Sequence, residues 1–426
     1  MTTETKHSTT RRLLRPFVQY SVEKGVLTRE TLAGLVKVRS EIDRRLGQLA
    51  ALKGYMAPRD VLAVMVHQAE SDEPFGEIAV GRSFLTRPQL REILDLQQDP
   101  FRFFVELLRL SGLVDEPAIQ RLVHDFAASG HVDPPAAPEP GVPAARRPDE
   151  FRAVLRRLKA AATVPEGVQR LLALLDDPES TLDQVLPLLQ AEPSIAAQVL
   201  ALVNSAFFGL RHRVSSLRQA VVTVGFRGLR QVILFVRVLE VFVKAGREKT
   251  REVWRHSILA GQWAQAIARA RGWTDLETPL VAGLVHDLGR PAVLQHFPEA
   301  AAEIEARVRA GASAAEAELG TLGLTHADAG AYLCHLWRFP VELHEAVLYH
   351  HCSVPFLRNV RGLPPLVDLV HLACGLASVP GKVRADQVAF VLDRPFAEYH
   401  RVDAAMVAEL APQVREGASE LAQLIS

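Results

Sequence analysis

The side chains best suited to chemistry in this sequence are imidazoles and carboxylates. It contains 15 histidines, among them an adjacent His286-Asp287 pair and a His350-His351 pair. A histidine standing alone on a helix is usually hydrogen-bonded or surface-exposed, so His212, His296, His335, His344 and His371 read as packing or surface residues. The three cysteines, Cys334, Cys352 and Cys374, form no C-x-x-C pair and are odd in number. That argues against a disulfide framework and against a cysteine zinc site, and fits a reducing compartment. No G-x-x-x-x-G-K-[ST] occurs, which excludes a P-loop nucleotidase. Between Ala201 and Arg255 eleven Arg or Lys stand against three Glu. No aromatic-interleaved groove or DNA-binding motif accompanies this excess, so solvated helix faces explain it better than nucleic acid does.

The elements that must carry these residues are helices. Leu, Ala, Val, Arg and Glu dominate the composition, which is 48% hydrophobic and 23% charged with zero net charge. At 426 residues the chain exceeds the usual size of a single core, so two or more domains are expected. Val232 to Val243, the longest apolar stretch, is interrupted by Arg237 and Glu240, and the first residues are polar. A protein without a membrane span, located in the cytoplasm, is expected. From Ser129 to Glu150 six prolines and no apolar periodicity mark a semi-rigid linker, with its centre at 131–149.

Ahead of the linker, residues 1–130 carry an internal repeat. Gly25, Gly54, Ser83 and Gly112 stand at equal intervals along the chain. In register with them run Leu27, Met56, Leu85 and Val114, then Leu32, Val61, Leu90 and Ile119, then Val36, Met65, Leu94 and Val123. Four small helical units are predicted, each with a turn residue, a capping position and one apolar face. The middle copies add Arg45-Leu46-Gly47, Gly54 and Gln68, then Phe75-Gly76 and Gln97. This spacing resembles the N-terminal domain of type II secretion and type IV pilus assembly ATPases, whose repeats can hold cyclic di-GMP. The resemblance implies Arg45, Gly47, Gly54, Gln68, Gly76 and Gln97 as ligand contacts, the arginine as a stacking or bidentate cation. Pro74 stands where the second copy should have its arginine, and Ser83 where it should have glycine. Ligand binding and plain protein docking therefore both stay open.

After the linker, helix signals follow one another: Pro193 at a first turn, a capping box at Ser216 and Gln219, another at Thr325 and Asp328. Five stretches, DDPESTLDQVLPLLQAEPSIAAQVLALVNSAFFG (176–209), SSLRQAVVTVGFRGLRQVI (215–233), WRHSILAGQWAQAIA (254–268), GLVHDLGR (283–290) and THADAGAYLCHLWRFP with AVLYHH (325–351), resemble the HDOD family of signalling output domains. That family is similar to HD-type metal phosphohydrolases, in which imidazoles and carboxylates from separate helices hold divalent metals. The resemblance implies a ligand set of His256, His286, Asp287, His326, His350 and His351, and Mn, Fe, Ni or Mg as the metal. Two features depart from it. Cys374, in VHLACGLA, stands where the last metal-binding aspartate belongs, with Asp368 six residues earlier, and no G-Y-P loop follows His350-His351.

The expected protein is all-α: a four-repeat module at 1–130, an HDOD domain at 150–380 and a C-terminal helical cap at 381–426. Its expected role is a non-catalytic signalling adaptor that binds other signalling proteins, with cyclic di-GMP as a possible input. The alternative is a metal-dependent phosphohydrolase acting on a cyclic dinucleotide or nucleotide.

Overall fold

In the computed structural model, residues 16–28, 46–111, 114–129, 148–161, 164–204, 213–352, 365–379 and 401–422 are described. Arg45, most of the proline-rich segment, Gly112 and the Ser205-Ala206-Phe207 part of the family motif lie outside them. The described residues are helical throughout, with no strand among them. The chain divides into two units. One comprises the described residues of Met1–Ala153, Ile304–Gly323 and His351–Leu363, and the other those of Val154–Glu303, Leu324–His350 and Pro364–Ser426.

The first unit contains α1 (16–23), α2 (Leu46–Leu52), α3 (Pro58–Glu70), α4 (Phe75–Gly81), α5 (Arg87–Gln98), α6 (Pro100–Ser111) and α7 (Glu116–Ala128). The period of the repeat is that of a recurring backbone turn. Gly25, Gly54 and Ser83 all have left-handed φ, at 69°, 68° and 60°. At each, two hydrogen bonds close the preceding helix in a Schellman arrangement: Gly54 N–H donates to Ala51 O and Tyr55 N–H to Ala50 O, just as Ser83 does to Val80 and Phe84 to Ala79. Leu27, Met56 and Leu85 then turn into the core. Thr86 and Asp115 cap α5 and α7 through their side chains, at the positions the repeat predicts. The first and fourth copies share one core, where Phe17 and Tyr20 of α1 meet Phe104 and Leu108 of α6 and Ile119 and Phe126 of α7. The Phe17 and Phe126 rings meet edge-on at 5.1 Å.

In the second unit, α9 (Glu166–Asp176), α10 (Leu182–Gln190), α11 (Pro193–Val203) and α12 (Leu217–Lys244) follow α8 (Pro148–Ala161), whose later residues belong here. Asn204 ties the end of α11 to Val214: its amide donates to the carbonyls of Leu200 and Val214, and its oxygen accepts from Val214 N–H at 2.7 Å. Gly225, at φ 69°, breaks α12 into two segments.

Then come α13 (Arg247–Ala270), α14 (Glu277–Val285), α15 (Gly289–His296), α16 (Pro298–Arg309), α17 (Ala314–Leu322), α18 (His326–Leu336), α19 (Val341–Tyr349), α20 (Pro365–Ala377) and α21 (Ala404–Ala422), of which α17 and the later residues of α16 belong to the first unit. Trp263 and Ile267 of α13, Leu369 and Leu372 of α20, and Val407 and Val414 of α21 form one core, so α21 packs with α13 and α20. No single described helix is long and apolar enough to cross a membrane.

Candidate metal centre

Three close backbone approaches set the positions of the helices around the centre. A Cβ on Gly283 of α14 would lie 2.5 Å from the Gly261 backbone of α13. At Gly289, opening α15, it would lie 1.9 Å from the carbonyl oxygen of His326, and at Gly330 3.2 Å from the Gly289 nitrogen. Glycine is required at these crossings because any side chain would push the helices apart. The contacts draw together His256 from α13, His286 and Asp287 from the turn between α14 and α15, His326 from the first turn of α18, and His350 from the end of α19.

Asp287, 1% exposed, stands at the middle. Its Oδ1 faces His326 Nε2 at 3.3 Å and His350 Nε2 at 3.6 Å. Its Oδ2 faces His286 Nε2 at 3.7 Å and His256 Nε2 at 4.0 Å. Each carboxylate oxygen thus looks toward its own pair of imidazoles. His286 Nδ1 lies 2.6 Å from Gly283 O, and His350 Nδ1 lies 2.7 Å from Val347 O. A carbonyl only accepts, so each Nδ1 carries the proton and each Nε2 presents a lone pair to the centre. His371, outside the predicted ligand set, supports the same region by donating from Nδ1 to His350 O at 2.7 Å.

Electrostatics keep the rings neutral. Burial, with the neighbouring His286, lowers His256 to about 4. Burial lowers His286 to about 4 against the pull of Asp287, and it lowers His350 as well. Burial alone would raise the Asp287 carboxyl, but Arg290, at 3.4 Å, and the surrounding imidazoles hold it well below the usual carboxylate range. A buried carboxylate ringed by neutral imidazole lone pairs is the donor chemistry of a divalent transition metal. The buried Oδ1, with no hydrogen-bond partner of normal geometry, fits that role.

The sequence-predicted ligands therefore converge: His256, His286, Asp287, His326 and His350 face one another, and the exposed His351 keeps a potential ligand atom within 4.8 Å of those of Asp287, His326 and His350. One residue outside the predicted set joins them. Cys374 of α20, 8% exposed, places its Sγ 3.4 Å from His256 Nε2. The potential ligand atoms of His256, His286 and Cys374 lie within 4.8 Å of one another, as do those of Asp287, His326 and His350. Burial and the nearby Asp287 push the Cys374 thiol up to about 12. Its alignment with a missing aspartate was the available sequence signal.

The candidate glycines of the first unit have packing or turn roles. In α2 a Cβ on Gly47 would lie 2.7 Å from the Val61 side chain, and in α4 one on Gly76 would lie 2.7 Å from that of Leu90. Gly76 and Leu90 stand one repeat period after Gly47 and Val61, so these glycines serve the same helix packing in successive copies. Gly54 forms the left-handed turn, Gln68 is buried and Gln97 half-buried. Four arginines of the basic stretch are engaged as well. Arg218 pairs with Asp183 at 2.9 Å, Arg227 with Asp275 at 2.6 Å and Arg230 with Asp176 at 2.6 Å, while Arg237 pairs with Glu240.

An all-helical domain with an HD-like centre of imidazoles around one aspartate is the class these observations define. Residues 161–353 match the model of the HDOD domain, and the chain carries that domain. A crystal structure described as a phosphohydrolase from Shewanella amazonensis SB2B is similar in fold, with a TM-score of 0.51 and 23% identity over 64% of this chain and 98% of that one. An HDOD domain protein of unknown function from Geobacter sulfurreducens gives a TM-score of 0.48 at 24% identity, over 63% of this chain and 97% of that one. An uncharacterized protein of Treponema pallidum (strain Nichols) is 26% identical over 199 residues, 46% of this chain. The match spans only 38% of that relative's length.

Proposed function

We propose that this chain is a signalling protein whose HDOD domain acts by binding partner proteins, with a divalent transition metal held in its histidine-aspartate pocket as a non-hydrolytic centre. The observation that carries the reading is the convergence of four Nε2 atoms on the two oxygens of Asp287 in an enclosed pocket. His256, His286, Asp287, His326 and His350 would be the ligands. A metal bound there would supply Lewis acidity and a fixed cross-link among the helices. The residues do the positioning: Gly283 O and Val347 O aim two rings, and Arg290 keeps Asp287 ionised. Enclosure favours holding over turnover, since among these five ligands only His256, 20% exposed, reaches solvent appreciably, whereas hydrolysis needs room for a phosphoryl group and an in-line water.

The test is elemental analysis of protein purified without chelators, combined with hydrolysis assays on cyclic and linear dinucleotides. The expected result is near-stoichiometric transition metal, abolished in His286→Ala, with no hydrolysis above that variant. Hydrolysis lost in His286→Ala would establish the second reading, a metal-dependent phosphohydrolase. That reading is favoured by the separate imidazole pair facing each oxygen of Asp287, an arrangement suited to two metals clamping a phosphoryl group. Cyclic di-GMP reception in the N-terminal unit is a further proposal, tested by calorimetric titration of the full chain and of Arg45→Ala. The packing duties of Gly47 and Gly76 favour a docking scaffold there.

A further inference from the structure

The geometry points to Cys374 as a thiolate ligand of the proposed metal, in a nitrogen and sulfur triad with His256 and His286. The assignment rests on the metal-centre reading and goes beyond it by naming a ligand and the class of metal it selects.

Three observations carry it. The first is position. Cys374 Sγ lies 3.4 Å from His256 Nε2, which in turn lies 3.2 Å from His286 Nε2, and α20, α13 and the α14–α15 turn supply one atom each. Three potential ligand atoms from three separate elements thus meet within 4.8 Å of one another, the geometry of a ligand cluster.

The second is charge. The centre is largely buried, with His286 fully so, Asp287 and Cys374 nearly so, and His256 20% exposed. A divalent cation there meets one carboxylate, already engaged by Arg290 at 3.4 Å, and otherwise neutral imidazoles. Uncompensated charge in such a place costs several kcal/mol by order of magnitude. A thiolate is the nearby source of a second negative charge, and a coordinated thiol gives up its proton to the metal.

The third is contrast. Cys334 and Cys352 are also buried and also outside any disulfide, yet neither belongs to a cluster of potential metal ligands among the described residues. They are internal controls with the same chemistry.

A sulfur ligand changes which metal fits. Thiolate and imidazole together suit zinc, cobalt or ferrous iron, whereas magnesium and manganese prefer oxygen ligands. The Cys374 position therefore selects against the hard end of the metals that an all-oxygen and nitrogen set would accept.

The test is cobalt(II) titration of the full chain, followed by absorption spectroscopy. Wild type should develop the near-ultraviolet thiolate-to-cobalt charge-transfer band, and a tenfold excess of magnesium should leave it unchanged. Cys374→Ser should lose the band and bind cobalt at least tenfold more weakly. Cys374→Asp should bind cobalt without the band, which separates loss of sulfur from loss of the fold. Cys334→Ser and Cys352→Ser should keep it. Cobalt binding by wild type with no charge-transfer band, or a band surviving in Cys374→Ser, overturns the Cys374 assignment and leaves the metal centre standing. Failure of wild type to take up cobalt or zinc at all overturns both.

Discussion

Replacing Gly289 by alanine should break the centre without touching a ligand. The new Cβ would lie 1.9 Å from the carbonyl oxygen of His326, 2.7 Å from its carbonyl carbon and 2.9 Å from the Gly330 nitrogen, all backbone atoms. Real contacts begin near 3.0 Å, so α15 and α18 must part by about 1.1 Å, the difference between 3.0 and 1.9. His326, 3.3 Å from Asp287 Oδ1, moves with α18, and metal ligands tolerate displacements of only about 0.2 Å. Overpacking of this kind costs about 1–3 kcal/mol, partly offset by the roughly 1 kcal/mol that alanine gains over glycine in a helix. The expected outcome is a net loss of up to about 2 kcal/mol in urea unfolding and a fall of tenfold or more in metal affinity by calorimetry. Gly81→Ala, where no atom lies within 4 Å of the new Cβ, should be neutral or slightly stabilising and serves as the control. A Gly289→Ala variant with wild-type urea midpoint and metal affinity would refute the reasoning.

Acid should weaken the metal-free protein. His256 and His286 protonate near 4 in the folded chain against 6.5 unfolded, so the unfolded state binds more protons between these values. Stability is fully present above pH 6.5 and falls on acidification toward pH 4, by about 2 kcal/mol per ring at pH 5; urea midpoints independent of pH across this window would contradict it. Asn204→Ala strands the N–H and carbonyl of Val214 and should lower stability by about 2–3 kcal/mol, read as a reduced melting temperature. Gly47→Ala meets movable side chains of Val61 and Phe75, so its urea midpoint should fall, but by less than that of Gly289→Ala.

The turns at Gly25, Gly54 and Ser83 were legible because their signal is local. A left-handed turn needs glycine or a tolerant residue, and the sequence marks it at the regular positions of Gly25, Gly54 and Ser83. The junction between Phe17 and Phe126 was not, since nothing within one copy shows that the first and fourth meet. The side chains of His256, His286, Asp287, His326 and His350 were picked out through family resemblance, and the folded chain brings them together. What the sequence could not show was the crossing of α20 over α13 that carries Cys374 to His256, or which glycines touch backbone. The basic stretch follows its bland reading: Arg227 pairs with Asp275 and Arg230 with Asp176, each far away along the chain, so an excess of cations in one stretch is partly neutralised in space.

Gly283 does two jobs with one peptide unit. Its missing side chain sets how near α14 comes to α13, and its carbonyl fixes the direction of the His286 ring. Spacing and aim are therefore mechanically inseparable: a slip of this turn by one residue would misdirect the ring and open the crossing together. The pocket is thereby biased toward two conditions, assembled or dismantled, with little room for intermediate geometry.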